Sequence, residues 1–112
     1  MPEDPLDALT AAPRYHKLLF ENERVRVLDT TIGQGETVPM HTHRWPSVLY
    51  VQSWSDFVRR DAAGEVVLDW RGREPVAAGA ALWSPALAAH TLENVGESEL
   101  RAICVEVKGT VR

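Results

Sequence analysis

From Tyr15 to Val107 the chain switches between apolar and polar side chains in short runs, each closed by a turn signal. Lys17–Phe20, Arg24–Asp29, Val48–Gln52, Phe57–Arg60, Val66–Trp70, Ala80–Ser84 and Leu100–Val107 are rich in β-branched or aromatic residues, side chains that suit a pleated, half-buried surface. Between them stand Glu21-Asn22-Glu23, Gly33-Gln34-Gly35, Asp61-Ala62-Ala63-Gly64, Arg71-Gly72, Ala78-Gly79 and Val95-Gly96, all combinations that favour turns. In Arg24–Asp29 the alternation puts Val25 and Val27 on one face and Arg24 and Arg26 on the other, which predicts paired surface or dimer-contact arginines, with an inward arginine meeting a substrate carboxylate as the alternative. No segment sustains a helical period long enough to compete. Many short strands at near-regular spacing predict an all-β sandwich or barrel.

The first residues read differently. Three prolines and three acidic groups surround Leu6–Thr10, a pattern compatible with one or two helical turns or with a loose arm ordered by a partner. The expected organisation is an N-terminal arm over 1–14 and one domain over 15–112. A chain of 112 residues suits a single core, and no repeat or low-complexity block divides it.

Composition narrows the function. With 45% apolar and 25% charged residues and a net charge of −4, the chain is ordinary globular material. Arg59-Arg60 and Arg71/Arg73 are the main basic groupings, and they read as solvated loop or strand-edge positions rather than a nucleic-acid footprint. No apolar stretch reaches the length of a membrane span, and no basic segment followed by an apolar run opens the sequence. A cytoplasmic protein without a membrane or nucleic-acid partner is expected. Cys104 is the sole cysteine, so no internal disulfide forms, and its neighbours Ala102, Ile103 and Val105 predict a small buried core residue.

The candidate chemistry lies in histidines. His41 and His43 end the segment that begins at Gly33, and a strand presents residues two apart on one face. Pro39 interrupts the ladder there and predicts an edge or a bulge. His90 follows the Pro85 turn, with Leu92 and Asn94 on its face by parity. Imidazole is the commonest protein ligand for transition metals. His16 has no partner at ligand spacing and reads as a surface or packing residue.

The spacing of these residues resembles the two motifs of small single-domain cupins. Five residues separate Gly35 from His41-x-His43, and five separate Gly79 from Pro85, with His90 and Asn94 following at the family's spacing. The resemblance spans about residues 15–108 and implies a jelly-roll β-sandwich or barrel, a homodimer, and a metal held by His41, His43 and His90. Three positions depart from the family. Its first-motif glutamate falls at Ser47 or Val48, its closing glycine at Ser55, and its second-motif glycine at Leu87.

The implied set is therefore three histidines, similar to that of some cupin dioxygenases. Neutral nitrogen ligands favour Fe, Ni, Zn or Cu over Mg or Ca, and leave a positive charge that attracts an anionic small-molecule ligand or substrate. Tyr50 and Gln52 share the parity of Val48 and are expected as hydrogen-bonding groups beside the metal. Glu36 and Glu93 have the opposite parity to the histidines and should point away. Trp45 and Trp83 are the expected cavity neighbours, and Asn94 is expected to bond turn groups. The implied function is a metal-dependent, dioxygenase-like enzyme acting on a small organic acid or related metabolite. The alternative is a non-catalytic small-ligand-binding or storage module.

Overall fold

The inner faces of two antiparallel sheets enclose the core in the computed structural model, which describes residues 4–109. The strands are β1 (His16–Glu21), β2 (Val25–Ile32), β3 (Thr37–His43), β4 (Ser47–Ser53) and β5 (Phe57–Asp61). They continue with β6 (Val66–Asp69), β7 (Ala81–Ser84), β8 (Leu87–Asn94) and β9 (Leu100–Val107). One sheet has the order β1-β2-β9-β4-β7 and the other β3-β8-β5-β6. The all-β jelly-roll expectation is met.

Strand parity decides what the interior contains. On β2 the buried alternation is Arg26, Leu28 and Ile32, and on β9 it is Leu100, Cys104 and Glu106. These residues pair directly across the ladder, Arg26 with Glu106, Leu28 with Cys104 and Ile32 with Leu100. The arginine face of β2 is therefore the inner one, which corrects the expectation that Arg26 lies at a surface or dimer contact. A buried guanidinium is tolerated where carboxylates meet it, and Glu106 and Asp7 both do.

The ladder between β3 and β8 is broken twice. Val38 pairs with Leu92, His41 with His90 and His43 with Leu87. The first irregularity spans Pro39, as expected of a residue that cannot donate to the ladder. It lets Val38 and His41, three apart, both face inward. Gly35 and Gly79 have φ of +77° and +91°, conformations that a side chain disfavours. Leu87, where the cupin motif has a third glycine, begins β8 instead.

The arm folds back on its own chain. α1 (Ala8–Ala11) is capped by Asp7, whose side chain accepts from the Leu9 N–H, and Ala8 and Ala12 are buried. Thr42 donates its backbone N–H to Leu6 and its hydroxyl to Asp4, so this segment lines the edge of β3. Residues 1–3 of the expected arm and 110–112 of the expected domain lie outside the described residues.

Asn94 locks the end of β8. Its amide donates to the carbonyls of Ile32 and Ser98, and its oxygen accepts from the Ser55 hydroxyl and the Gly96 N–H. All four capacities of a side chain with no solvent exposure are met. Ser55 stands where the cupin motif has glycine. Asn94→Ala is expected to cost about 2–4 kcal/mol in urea unfolding, because buried groups lose their partners. A loss below about 1 kcal/mol would mean that water replaces the amide.

Candidate metal centre

All four histidines of the chain line one cavity of about 110 Å³ between the sheets. His41 and His43 come from β3 and His90 from the facing position on β8. His16 opens β1, the edge strand of the other sheet. The His41 ring centroid lies 4.3 Å from His90, 5.0 Å from His43 and 5.0 Å from His16. His43 lies 5.4 Å from His16 and 5.8 Å from His90.

The expected residues His41, His43 and His90 all line this cavity together with His16, but the histidines whose ligand atoms come closest as a group include His16 and leave out His90. The nitrogen atoms of His16, His41 and His43 lie within 4.8 Å of one another. His16 is 3% exposed and is no surface residue. Little in the local pattern points to it, because β1 reaches the other histidines only through sheet pairing. The usable signal was the count: a cavity fed from several strands can collect every histidine of a small domain.

Each ring is held by its Nδ1. His16 bonds the Ala12 carbonyl at 3.0 Å, His41 that of Pro39 at 2.7 Å and His90 that of Ala88 at 2.7 Å. His43 bonds Glu106 Oε2 at 3.0 Å. A carbonyl or carboxylate oxygen only accepts, so Nδ1 carries the proton in all four. In a neutral ring Nε2 then keeps its lone pair, the arrangement in which imidazole binds a metal.

Glu106 is the carboxylate the motif comparison missed. It stands opposite Ser47 in register, on the neighbouring strand, and has no solvent exposure. Burial pushes its pKa up, but hydrogen bonds from His43 and Arg26 outweigh that and hold it below the ordinary value. Arg26 passes the charge outward through a two-point contact with Asp7 at 2.9 and 3.0 Å. Trp45 covers this pair, with its ring centroid 5.1 Å from the guanidinium carbon. The signal for Glu106 was its parity with Leu100, Ala102 and Cys104.

Other expectations are corrected. Ser47, not Val48, takes the inward position after His43. Tyr50 and Gln52, which alternate with it, therefore face outward, Tyr50 at 47% exposure. Trp83 is 63% exposed and Trp45 covers Arg26, so neither lines the cavity; Trp54 and Phe57 do. Arg59 also lines it, contrary to a solvated-edge reading. Glu36 and Glu93 face away as parity required, pairing with Arg14 and Arg60. Cys104 is buried as expected, and burial pushes its thiol up to about 11, leaving it a poor nucleophile at neutral pH.

No protein-family model matches the sequence, and no curated protein matches it. Solved structures do. A cupin domain from Bordetella pertussis superposes with a TM-score of 0.67 and 19% identity, over 84% of this chain and 92% of that one. The fold is that of the cupins. An RmlC-like cupin with a double-stranded β-helix from Methanocaldococcus jannaschii gives a TM-score of 0.57 at 15% identity, over 82% and 77% of the two chains. The polyketide cyclase RemF from Streptomyces resistomycificus gives 0.55 at 19% identity, over 84% and 64%. In this cupin barrel the imidazoles of β3 and β8 meet one from β1, and a glutamate on β9 faces Ser47.

Burial is the main cause that lowers three imidazoles from the ordinary 6.5, His16 and His90 to about 4 and His41 to about 3. The unfolded chain protonates these rings below about pH 6.5, while the folded protein resists until about pH 4. Their stabilisation is therefore present above the unfolded value and lost as pH falls through that window. The metal-free protein is expected to lose roughly 5 °C or more in Tm between about pH 7 and pH 5, with a shallower loss in His16→Gln. A Tm independent of pH over that range would contradict the buried neutral rings.

Proposed function

We propose that this small cupin holds one divalent transition ion on the Nε2 atoms of His16, His41 and His43, the three whose ligand atoms lie within 4.8 Å of one another, with His90 as a further ligand. The observation that carries the reading is four imidazoles, each tied at Nδ1, lining one cavity. Nitrogen donors of this kind fit Fe, Ni, Zn or Cu rather than Mg or Ca. The charges behind His43 also fit a cation: Asp7 and Glu106 against Arg26 leave an excess of one negative charge.

Bound there, such an ion supplies Lewis acidity or a centre for O₂ activation. The chain's own residues set the conditions. Acceptors at Nδ1 fix the rings, and Glu106 strengthens His43 as a donor. Leu49, Leu87, Leu92 and Leu100 give the cavity apolar walls, which limit water and leave room for a small molecule. We read the protein as a metal-dependent, dioxygenase-like enzyme of small organic acids. A shared fold with a polyketide cyclase is compatible with catalysis without assigning a reaction.

The second reading is a metal-bearing binding or storage module. It draws on the outward Tyr50 and the raised Cys104 pKa, which leave few acid–base groups at the cavity apart from the imidazoles. A homodimer belongs to either reading, supported by exposed Leu18, Leu19 and Phe20 on edge strand β1.

Purified protein is expected to carry near-stoichiometric metal, lost in His41→Ala and reduced in His16→Ala and His90→Ala. An ion at a hundredfold excess over its Kd adds about 2.7 kcal/mol to stability, a Tm rise of roughly 10 °C for a domain of this size. Absence of bound metal, with no Tm response to Fe, Ni, Zn or Cu, would refute the site. Oxygen uptake by the iron-loaded protein with small carboxylic acids separates the enzyme from the storage module.

A further inference from the structure

Among the described residues, Arg59 is the only arginine or lysine in the cavity wall, and no hydrogen bond or ion pair reaches it. Its register partner on β8 is Leu92, one same-face position from His90. Among the described residues, the other buried arginine, Arg26, is met by two carboxylates. Arg14, Arg60, Arg71 and Arg101 are paired at the surface, and Arg24, Arg44 and Arg73 are exposed. Arg59 is half-buried, its Nε is sealed from solvent, and that atom has no hydrogen-bond partner. Among the described residues, no carboxylate lines the cavity. A protein normally avoids such a charge by pairing it, because desolvation without a counter-charge is unfavourable.

A second orphan belongs to the same wall. The Trp54 indole N–H is buried and unpartnered, and Trp54 lines the cavity beside Phe57. Two buried donors without acceptors, in the wall of a cavity whose other lining is imidazole, hydroxyl, thiol and apolar side chains, call for a ligand that brings acceptor oxygens.

We propose that Arg59 is the carboxylate anchor of this cavity: a small organic acid sets its carboxylate against the guanidinium, with Trp54 as a second donor, and turns its other end toward the imidazoles. The assignment rests on the cavity being the ligand site proposed above, and it adds the residue that selects the charge. A guanidinium fork matches a carboxylate at two points. A single guanidinium among apolar walls suits a monoanion better than a phosphate, which commonly recruits several cations. The cavity of about 110 Å³ is of the order that admits one small ring or branched chain, an engineered cavity of about 150 Å³ being enough for benzene.

The test uses metal-free full-length protein, so that it is read whether or not metal loads. Benzoate, isobutyrate, benzamide and inorganic phosphate are titrated by calorimetry into wild type, Arg59→Gln, Arg59→Lys and Trp54→Phe. Wild type is expected to bind at least one of the two carboxylates about tenfold or more tighter than benzamide. Arg59→Gln is expected to abolish that preference, carboxylate affinity falling to that of benzamide, while the metal content of the loaded protein is unchanged. Arg59→Lys, a compact charge without the fork, retains part of it, and Trp54→Phe weakens the carboxylate alone. Arg59→Gln also removes an unpaired charge, so its Tm is expected to rise by about 2–5 °C.

Equal binding of the carboxylates and benzamide, or no saturable binding of either carboxylate, would overturn the assignment. So would a preference that survives in Arg59→Gln, or phosphate binding tighter than both acids. Should Arg59→Gln fail to fold, Arg59→Lys and Trp54→Phe carry the comparison. Loss of the preference with metal loading intact is the expected result; metal loading that fails while the preference holds would refute the metal reading alone.

Discussion

The bond from His43 to Glu106 organises the rest of the interior. Glu106 has no access to solvent, and an unpaired carboxylate there would be costly. It is kept by His43 on one oxygen and Arg26 on the other, and Arg26 in turn needs Asp7 from the arm. One chain of charges thus joins β3, β9, β2 and the segment before α1. It also aims the His43 ring and fixes its proton at Nδ1. Removing any member strips a buried charge of one of its partners.

The same chain accounts for a site that lacks the usual cupin glutamate. Ser47 occupies that position, and the carboxylate stands directly across the ladder on β9. From there it acts on the proposed ion through His43 rather than by contact. Four imidazoles could then surround a cation while the negative charge stays one residue behind them. Such an arrangement keeps the inner surface uncharged apart from Arg59, which gives the cavity a polarity: nitrogen donors at one place, a guanidinium at another.

Much of this was legible in the sequence because period-two alternation and turn residues are local signals. The strands from β4 onward, the bulge at Pro39, the turns at Gly35 and Gly79, and the shared face of His90, Leu92 and Asn94 all follow from spacing. What escaped is non-local. Arg26 faces inward because its compensating acids lie 19 and 80 positions away in sequence. His16 reaches the site from the edge of the opposite sheet. Tyr50 and Gln52 were misplaced by a single residue: choosing Val48 rather than Ser47 as the inward position reverses every side chain of β4. Arg59 was read as solvated because adjacent arginines on a strand point to opposite faces, and only Arg60 meets a surface acid.

The central claim is that four imidazoles present unprotonated Nε2 atoms to one cavity because acceptors hold their Nδ1 protons. Long-range ¹H–¹⁵N correlation spectra of histidine-labelled, metal-free protein at neutral pH read this directly, and a zinc titration then identifies the nitrogens that respond. The account predicts the Nδ1–H tautomer for His16, His41, His43 and His90, with zinc shifting Nε2 of His41, His43 and at least one of the other two. Nε2–H tautomers in His41 and His43, or Nε2 signals indifferent to zinc, would contradict it.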